Sequence, residues 1–171
     1  MRNKRIMIIG AGRSGKSSLG RWLDQQDWFP GAARGENPDS WNRRTPTLVY
    51  RGAVIEAPGA YLESPWMRHH LIAAAQDACC VLMLADSTGK REIYPPGFAR
   101  VFPCTVLGVV TKCDLTASDG RRMEACFKQL ARAGIRNPFL RTSILDQTGL
   151  KALGREVKGC LEAAGIKEKA E

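Results

Sequence analysis

Short, nearly unbroken apolar runs alternate along this chain with stretches in which apolar residues recur every three or four positions. Ile6 to Ile9 form the first run and end at Gly10, which predicts an opening strand. A helix is expected from Gly15, with Leu19, Trp22 and Leu23 on its buried side. Thr47 to Tyr50 and Ala53 to Ile55 read as two strands joined around Gly52. The next helix has Pro65 near its start and Trp66, His70, Ile72 and Ala73 as core candidates. Cys79 to Ala85 is the pattern of a central parallel strand buried on both faces, and Thr105 to Val110 is another. Ser118 is expected to cap a helix carrying Met123, Phe127 and Leu130. Phe139 and Leu140 start a last short strand, and the closing helix repeats Leu150, Leu153, Val157 and Leu161 at helical spacing. That apolar stripe is read as packing on the sheet rather than as a docking face.

Strands alternating with helices imply an α/β fold, a mostly parallel central sheet flanked by helices in three layers. With no repeat and no linker, residues 1–166 read as one domain and residues 167–171 as a charged, frayed tail. The segment Phe29 to Pro46, rich in Gly, Pro, Asn, Asp and Arg, interrupts the pattern; a loop this long inside a compact domain is usually functional.

At 171 residues and 44% apolar composition the chain is long enough and apolar enough to bury a core. The formal net charge of +9 changes the picture little, because the basic residues are scattered and no basic, aromatic-rich motif accompanies them; no nucleic-acid role is expected. None of the six cysteines has C-x-x-C spacing. Cys79, Cys80 and Cys104 lie in apolar runs, where free cysteine behaves as a small core residue, and a reducing compartment follows. The first apolar run is too short for a signal peptide or a membrane span, so the expectation is a cytoplasmic protein.

The chemistry is concentrated after the first strand. Gly10-Ala11-Gly12-Arg13-Ser14-Gly15-Lys16-Ser17 matches G-x-x-x-x-G-K-[ST] at every required position, between a predicted strand and a predicted helix. Glycines let backbone N–H groups close around a β-phosphate, and the helix start adds its positive dipole end. Lys16 supplies charge to the β- and γ-phosphates, and the Ser17 hydroxyl is a natural Mg²⁺ ligand. Ser18 is counted with them as a nucleotide contact. A nucleoside triphosphate with Mg²⁺ is the implied ligand.

Further segments fit the same ligand. Val54-Ile55-Glu56-Ala57-Pro58-Gly59 stands where a metal-side carboxylate and a D-x-x-G turn would be, with Glu56 in place of Asp. Glu56 is read as reaching the metal shell, and the Gly59 N–H as approaching the γ-phosphate. Thr111-Lys112-Cys113-Asp114 reads as a variant of N-K-x-D, in which Asp114 accepts from guanine and the Lys112 stem lies over the base. This favours GTP and GDP, with ATP as the alternative. Thr142-Ser143 follow the last predicted strand, either as base-loop contacts or as a loop-stabilising hydroxyl pair. Thr45 ends the long loop and is the candidate for both Mg²⁺ and γ-phosphate; Arg43 and Arg44 before it read as solvated loop charges, with an internal arginine finger as the alternative. With Gly59, Lys16 and Thr45 make up the predicted catalytic set. Ala60 stands where a water-orienting side chain would be useful, which predicts slow or partner-assisted hydrolysis. His69 and His70 are adjacent on a helix, face different ways and make a poor metal pair.

The chain resembles the EutP/PduV-type small P-loop NTPases of ethanolamine and propanediol utilisation, proteins that accompany bacterial microcompartments. The resemblance rests on Pro58-Gly59-Ala60-Tyr61 with Glu63 and Pro65, Leu71-Ile72, Gln76-Asp77-Ala78, Pro95-Pro96-Gly97-Phe98-Ala99 and Gly108 to Leu115. The Ala133-Gly134 turn and Ser143…Gly149 continue it. It implies a Ras-like GTPase fold, phosphate and Mg²⁺ contacts at Gly15, Lys16 and Ser17, base contacts at Lys112 and Asp114, and a microcompartment shell or core protein as partner. Glu56-Ala57 in place of Asp-Thr, and a long loop from Asp27 to Arg44, depart from it. Three activities are compatible: a nucleotide switch accessory to a microcompartment, an ATP-dependent kinase of a short-chain carboxylate, and a nucleotide-bound targeting module with little turnover.

Overall fold

A computed structural model describes residues 5–29, 48–89, 91–136 and 139–166. The expected alternation is present. β1 (Arg5–Ile9) leads to α1 (Lys16–Asp24); β2 (Val49–Arg51) and β3 (Val54–Glu56) follow, then α2 (Ala60–Glu63) and α3 (Arg68–Ala74). β4 (Ala78–Asp86), β5 (Thr105–Thr111), α4 (Gly120–Arg132), β6 (Leu140–Arg141) and α5 (Leu150–Ala163) complete the order. Among the described residues six strands form one sheet in the order β2-β3-β1-β4-β5-β6. β2 runs antiparallel to β3, and every other pairing is parallel.

The two faces of the sheet carry separate apolar layers. Ile6 and Ile8 of β1 and Leu82 and Leu84 of β4 meet Leu19 and Leu23 of α1 and Leu150, Leu153, Val157 and Leu161 of α5. Met7, Ile9, Val81 and Met83 face the other way, against Leu62 of α2, Leu71 and Ala74 of α3 and Cys126 and Leu130 of α4. This is why β4 reads as an unbroken apolar run: alternate side chains enter different layers, and both layers are dry.

Three expectations are corrected. The helix expected with Pro65 near its start begins only at Arg68: Ser64 is extended, Pro65–Met67 forms a single tight turn, and a separate short α2 precedes them. The buried set is accordingly Leu62, Leu71, Ala74 and Ala75, whereas Trp66 is 78% exposed, His70 and Ala73 are exposed and Ile72 is half-buried. The tight turn at Pro65–Met67 does not share the phase of α3, so a helical face counted from Pro65 points the wrong way. The cap of α4 is Asp119, whose carboxylate accepts from the Arg122 N–H at 3.3 Å, and not Ser118. β2 begins at Val49, and Thr47 lies outside the described residues, as do residues 30–46 of the long loop and the tail 167–171.

Candidate functional site

The carboxyl ends of the parallel strands come together at one edge of the sheet, the place where open α/β sheets bind ligands. β1 delivers Gly10, β3 ends in Glu56, β4 ends in Asp86, β5 ends in Thr111, and Thr142 follows β6.

The loop after β1 is shaped by backbone that few residues accept. Arg13 sits at φ 61° and Gly15 at φ 98°, and Gly15 then caps α1. Lys16 is 7% exposed and its Nζ folds back on the loop, donating to the Gly10 carbonyl at 3.1 Å and the Ala11 carbonyl at 2.7 Å. Burial lowers the Lys16 pKa, with Glu56 and Glu63 pulling the other way. Ser17 donates its hydroxyl to Glu56 Oε1 at 2.6 Å. Glu56, 7% exposed, thus lies beside the residue predicted to bind metal. Ser18 is exposed at the start of α1 and lines the adjoining cavity. Gly59 is pressed against the loop: a Cβ there would lie 2.4 Å from the Gly12 nitrogen and 3.0 Å from Gly12 Cα. No side chain fits such an approach to backbone, which is the physical reason for glycine at this turn.

The second half of the site opens beside α1. A cavity of about 240 Å³ is lined by Gly15, Ser18, Thr111, Lys112, Asp114 and Thr142, together with Leu19, Leu115, Ile144 and Leu145. Thr111 is 6% exposed, and its hydroxyl donates to the Ser14 carbonyl at 2.7 Å, tying the end of β5 to the phosphate loop. Lys112 adopts φ 58° and is held by three groups. Its Nζ reaches the Arg13 carbonyl at 2.5 Å and Asp86 Oδ2 at 2.9 Å, and its carbonyl accepts from Ser87 Oγ at 3.0 Å. Partial burial pushes the Asp86 carboxyl up, but hydrogen bonds from Lys112 and Thr88 outweigh it and leave the pKa lowered. Asp114 Oδ1 accepts from Ser143 Oγ at 2.7 Å, which orients the carboxylate beside the cavity. The Thr142 hydroxyl donates to the Val110 carbonyl at 3.0 Å. Of the two readings for this pair, Thr142 stabilises the loop and Ser143 positions Asp114.

The structure therefore gathers Gly10 to Ser18, Glu56, Gly59, Thr111, Lys112, Asp114, Thr142 and Ser143 around one edge. Thr45, Arg43 and Arg44 lie outside the described residues. Four contributors went unread in the sequence. Asp86 anchors Lys112 across strands. Buried Tyr94 donates to the Leu84 carbonyl at 2.5 Å and reaches the Ile9 carbonyl at 3.5 Å, bracing the strand end from which the phosphate loop springs. Leu115 and Leu145 line the cavity while remaining 64% and 82% exposed. Large apolar side chains exposed at a cavity mouth suit a flat, apolar ligand face. Only the Leu pair carried a local signal, as apolar residues within a turn-rich context.

The hydroxyl and carboxylate oxygens of Ser17 and Glu56 are hard donors of the kind Mg²⁺ takes, and a 2.6 Å separation is compatible with both lying on one side of such an ion. Among the described residues no group of three or more His, Cys, Asp or Glu is arranged to hold a metal ion, so an ion here would need oxygens from the ligand as well.

Comparison with known proteins agrees with this geometry. The propanediol utilization protein PduV of Citrobacter freundii is 31% identical over 147 residues, which cover 86% of this chain and 88% of that protein. The G domain of the T. maritima FeoB iron transporter superposes with a TM-score of 0.55 at 21% identity, covering 92% of this chain and 98% of that one. A bacterial selenocysteine-specific elongation factor gives a TM-score of 0.62 at 17% identity over 95% of this chain, which matches 29% of that longer protein. The fold is thus that of a GTPase G domain. A family model described as ethanolamine utilisation - propanediol utilisation matches residues 3–159, and the chain belongs to this PduV-EutP family.

Proposed function

We propose that this protein binds GTP and GDP with Mg²⁺ and works as a slow, partner-assisted nucleotide switch in propanediol or ethanolamine utilisation. The observation that supports the reading is the cavity lined by Gly15, Lys112 and Asp114 next to the phosphate loop. In this reading Lys16 releases the Gly10 and Ala11 carbonyls to hold the β- and γ-phosphates, and the loop N–H groups receive the remaining phosphate oxygens. Asp114, fixed by Ser143, accepts from the two N–H groups on the guanine edge. The base lies between the Lys112 stem and the apolar Leu145. Bound Mg²⁺ supplies charge neutralisation on the phosphates; Ser17, Glu56 and Thr45 would hold it. Gly59 leaves the Gly12 backbone when a γ-phosphate claims the space between them, which links nucleotide state to α2 and the exposed Trp66 turn. Ala60 offers no group to orient water, so turnover is slow unless a microcompartment shell or core protein supplies one.

The test is titration of the purified protein with GTP, GDP and ATP in Mg²⁺, alongside Lys16→Ala and Asp114→Ala, with phosphate release followed in the same samples. Guanine-selective binding that both variants lose, with slow release, is the expected result. ATP binding that ignores Asp114→Ala overturns the guanine reading and favours phosphoryl transfer to a metabolite.

A further inference from the structure

β4 enters the sheet with one residue too many. Arg5 pairs with Ala78 and Ile6 with Cys80, which leaves Cys79 without a partner on β1. Neighbours in a regular strand face opposite sides, and a bulge breaks that alternation. Cys79 and Cys80 accordingly share one layer, the one covered by α1 and α5, while Val81 turns to the other. Cys160 of α5 packs against that same layer. Cys79 and Cys80 thus share an apolar layer with Cys160, and all three are free thiols. Access is graded: Cys80 is fully buried, Cys79 is 7% exposed and Cys160 is half-buried.

The cluster is unused by the site described above. Seven residues of extended chain separate Cys79 from Asp86, roughly 23 Å at a strand's rise. Among the described residues there is no grouping of three or more such side chains fit to hold a metal ion, which leaves thiol chemistry. The hydrogen bond from Cys80 lowers the Cys160 pKa against burial, whereas Cys80, bonded to both neighbours and buried, is pushed well up. The half-buried Cys160 is also the thiol that an oxidant from solvent reaches first, with Cys80 deeper in the same layer.

We propose that Cys80 and Cys160 form a reversible disulfide joining β4 to α5, entered by hydroperoxide at Cys160. The Cys160 sulfur attacks one peroxide oxygen; an S–O bond forms, the O–O bond breaks and water or an alcohol departs, leaving a sulfenic acid. The Cys80 sulfur then attacks that sulfur; the S–S bond forms, the S–O bond breaks, and hydroxide leaves with the Cys80 proton as water. Two thiols are oxidised and one peroxide is reduced, and a dithiol reductant reverses the bond. Cys79 and Cys80 are poor partners for each other, because consecutive Cα atoms lie about 3.8 Å apart, below the usual disulfide span.

The full chain is treated with hydrogen peroxide, alkylated and mapped by peptide mass without reduction. A linked peptide pair containing Cys80 and Cys160 is expected, retained in Cys79→Ser, absent in Cys160→Ser and dissolved by dithiothreitol. The oxidised wild type should melt higher than the reduced protein, and Cys160→Ser, altered only at a half-buried position, should lose that increment. Oxidation that stops at Cys160 sulfinic acid, or a link that disappears in Cys79→Ser, overturns the proposal.

Discussion

At the scale of single residues the site depends on side chains held in place by partners far away in sequence. Asp114 is oriented by Ser143, 29 positions on. Replacing its carboxylate with an amide removes an acceptor and adds a donor facing the guanine N–H groups. Hydrogen bonds to a charged group contribute about 1.5–3 kcal/mol each, so Asp114→Asn should weaken GDP binding by at least about 100-fold while favouring xanthosine diphosphate, which calorimetry with both nucleotides checks. Asp86 acts on Lys112. The pair is partly exposed, and Asp86→Asn should cost GDP affinity less than about tenfold. Its pH dependence has a definite sign. The folded-state pKa of Asp86 is lowered from 3.8, so the pair's contribution to stability is complete above that value and is lost as pH falls through the folded-state pKa. Denaturation of wild type and Asp86→Asn should show a stability difference at pH 7 that shrinks as pH falls below 3.8. Lys112 and Asp114 were legible because their tetrapeptide is local; Asp86 was not, because its partner stands 26 residues away on another strand.

At the scale of elements, turns decide where the functional side chains go. The β6–α5 turn lines the cavity beside α1 through Thr142, Ile144 and Leu145 and closes at Gly149. Gly149 has φ 73°, and a Cβ there would stand 1.7 Å from the Arg141 carbonyl oxygen. Gly149→Ala should lower unfolding stability by at least about 2 kcal/mol, seen as a lower urea midpoint with unchanged slope, and should weaken nucleotide binding with it. Helix and strand types followed from periodicity, and α5 buries the Leu150, Leu153, Val157 and Leu161 stripe that its spacing foretold. The helix expected from near Pro65 followed only in part: Pro65–Met67 is a single tight turn and α3 starts at Arg68, so a helical face counted from Pro65 put Trp66 inside when it is outside.

At the scale of the whole molecule, the strand ends that converge on the site belong to a sheet whose interior is dry on both sides. Nucleotide binding should therefore report on global stability. A ligand specific to the folded state at 100 times its Kd adds about 2.7 kcal/mol. For a chain of this size that raises Tm by about 5–10 °C. Saturating Mg²⁺·GDP should give such a shift in wild type and little in Lys16→Ala, as scanning calorimetry can show.

The sequence by itself determined the element types and marked the Gly10–Ser17 loop and the Thr111–Asp114 tetrapeptide as candidates, because each rests on a short-range pattern: apolar periodicity, or residue types at fixed spacing. Only the tertiary structure decided which of these meet. The parallel order β3-β1-β4-β5-β6 brings strand ends far apart in sequence to one edge, so that Thr111 can bond Ser14, 97 positions away, and Lys112 can reach Arg13, 99 positions away. The same long-range register left Cys79 unpaired and turned two neighbouring thiols toward Cys160. No local pattern encodes such contacts, since they depend on how strands pair and not on what either strand contains.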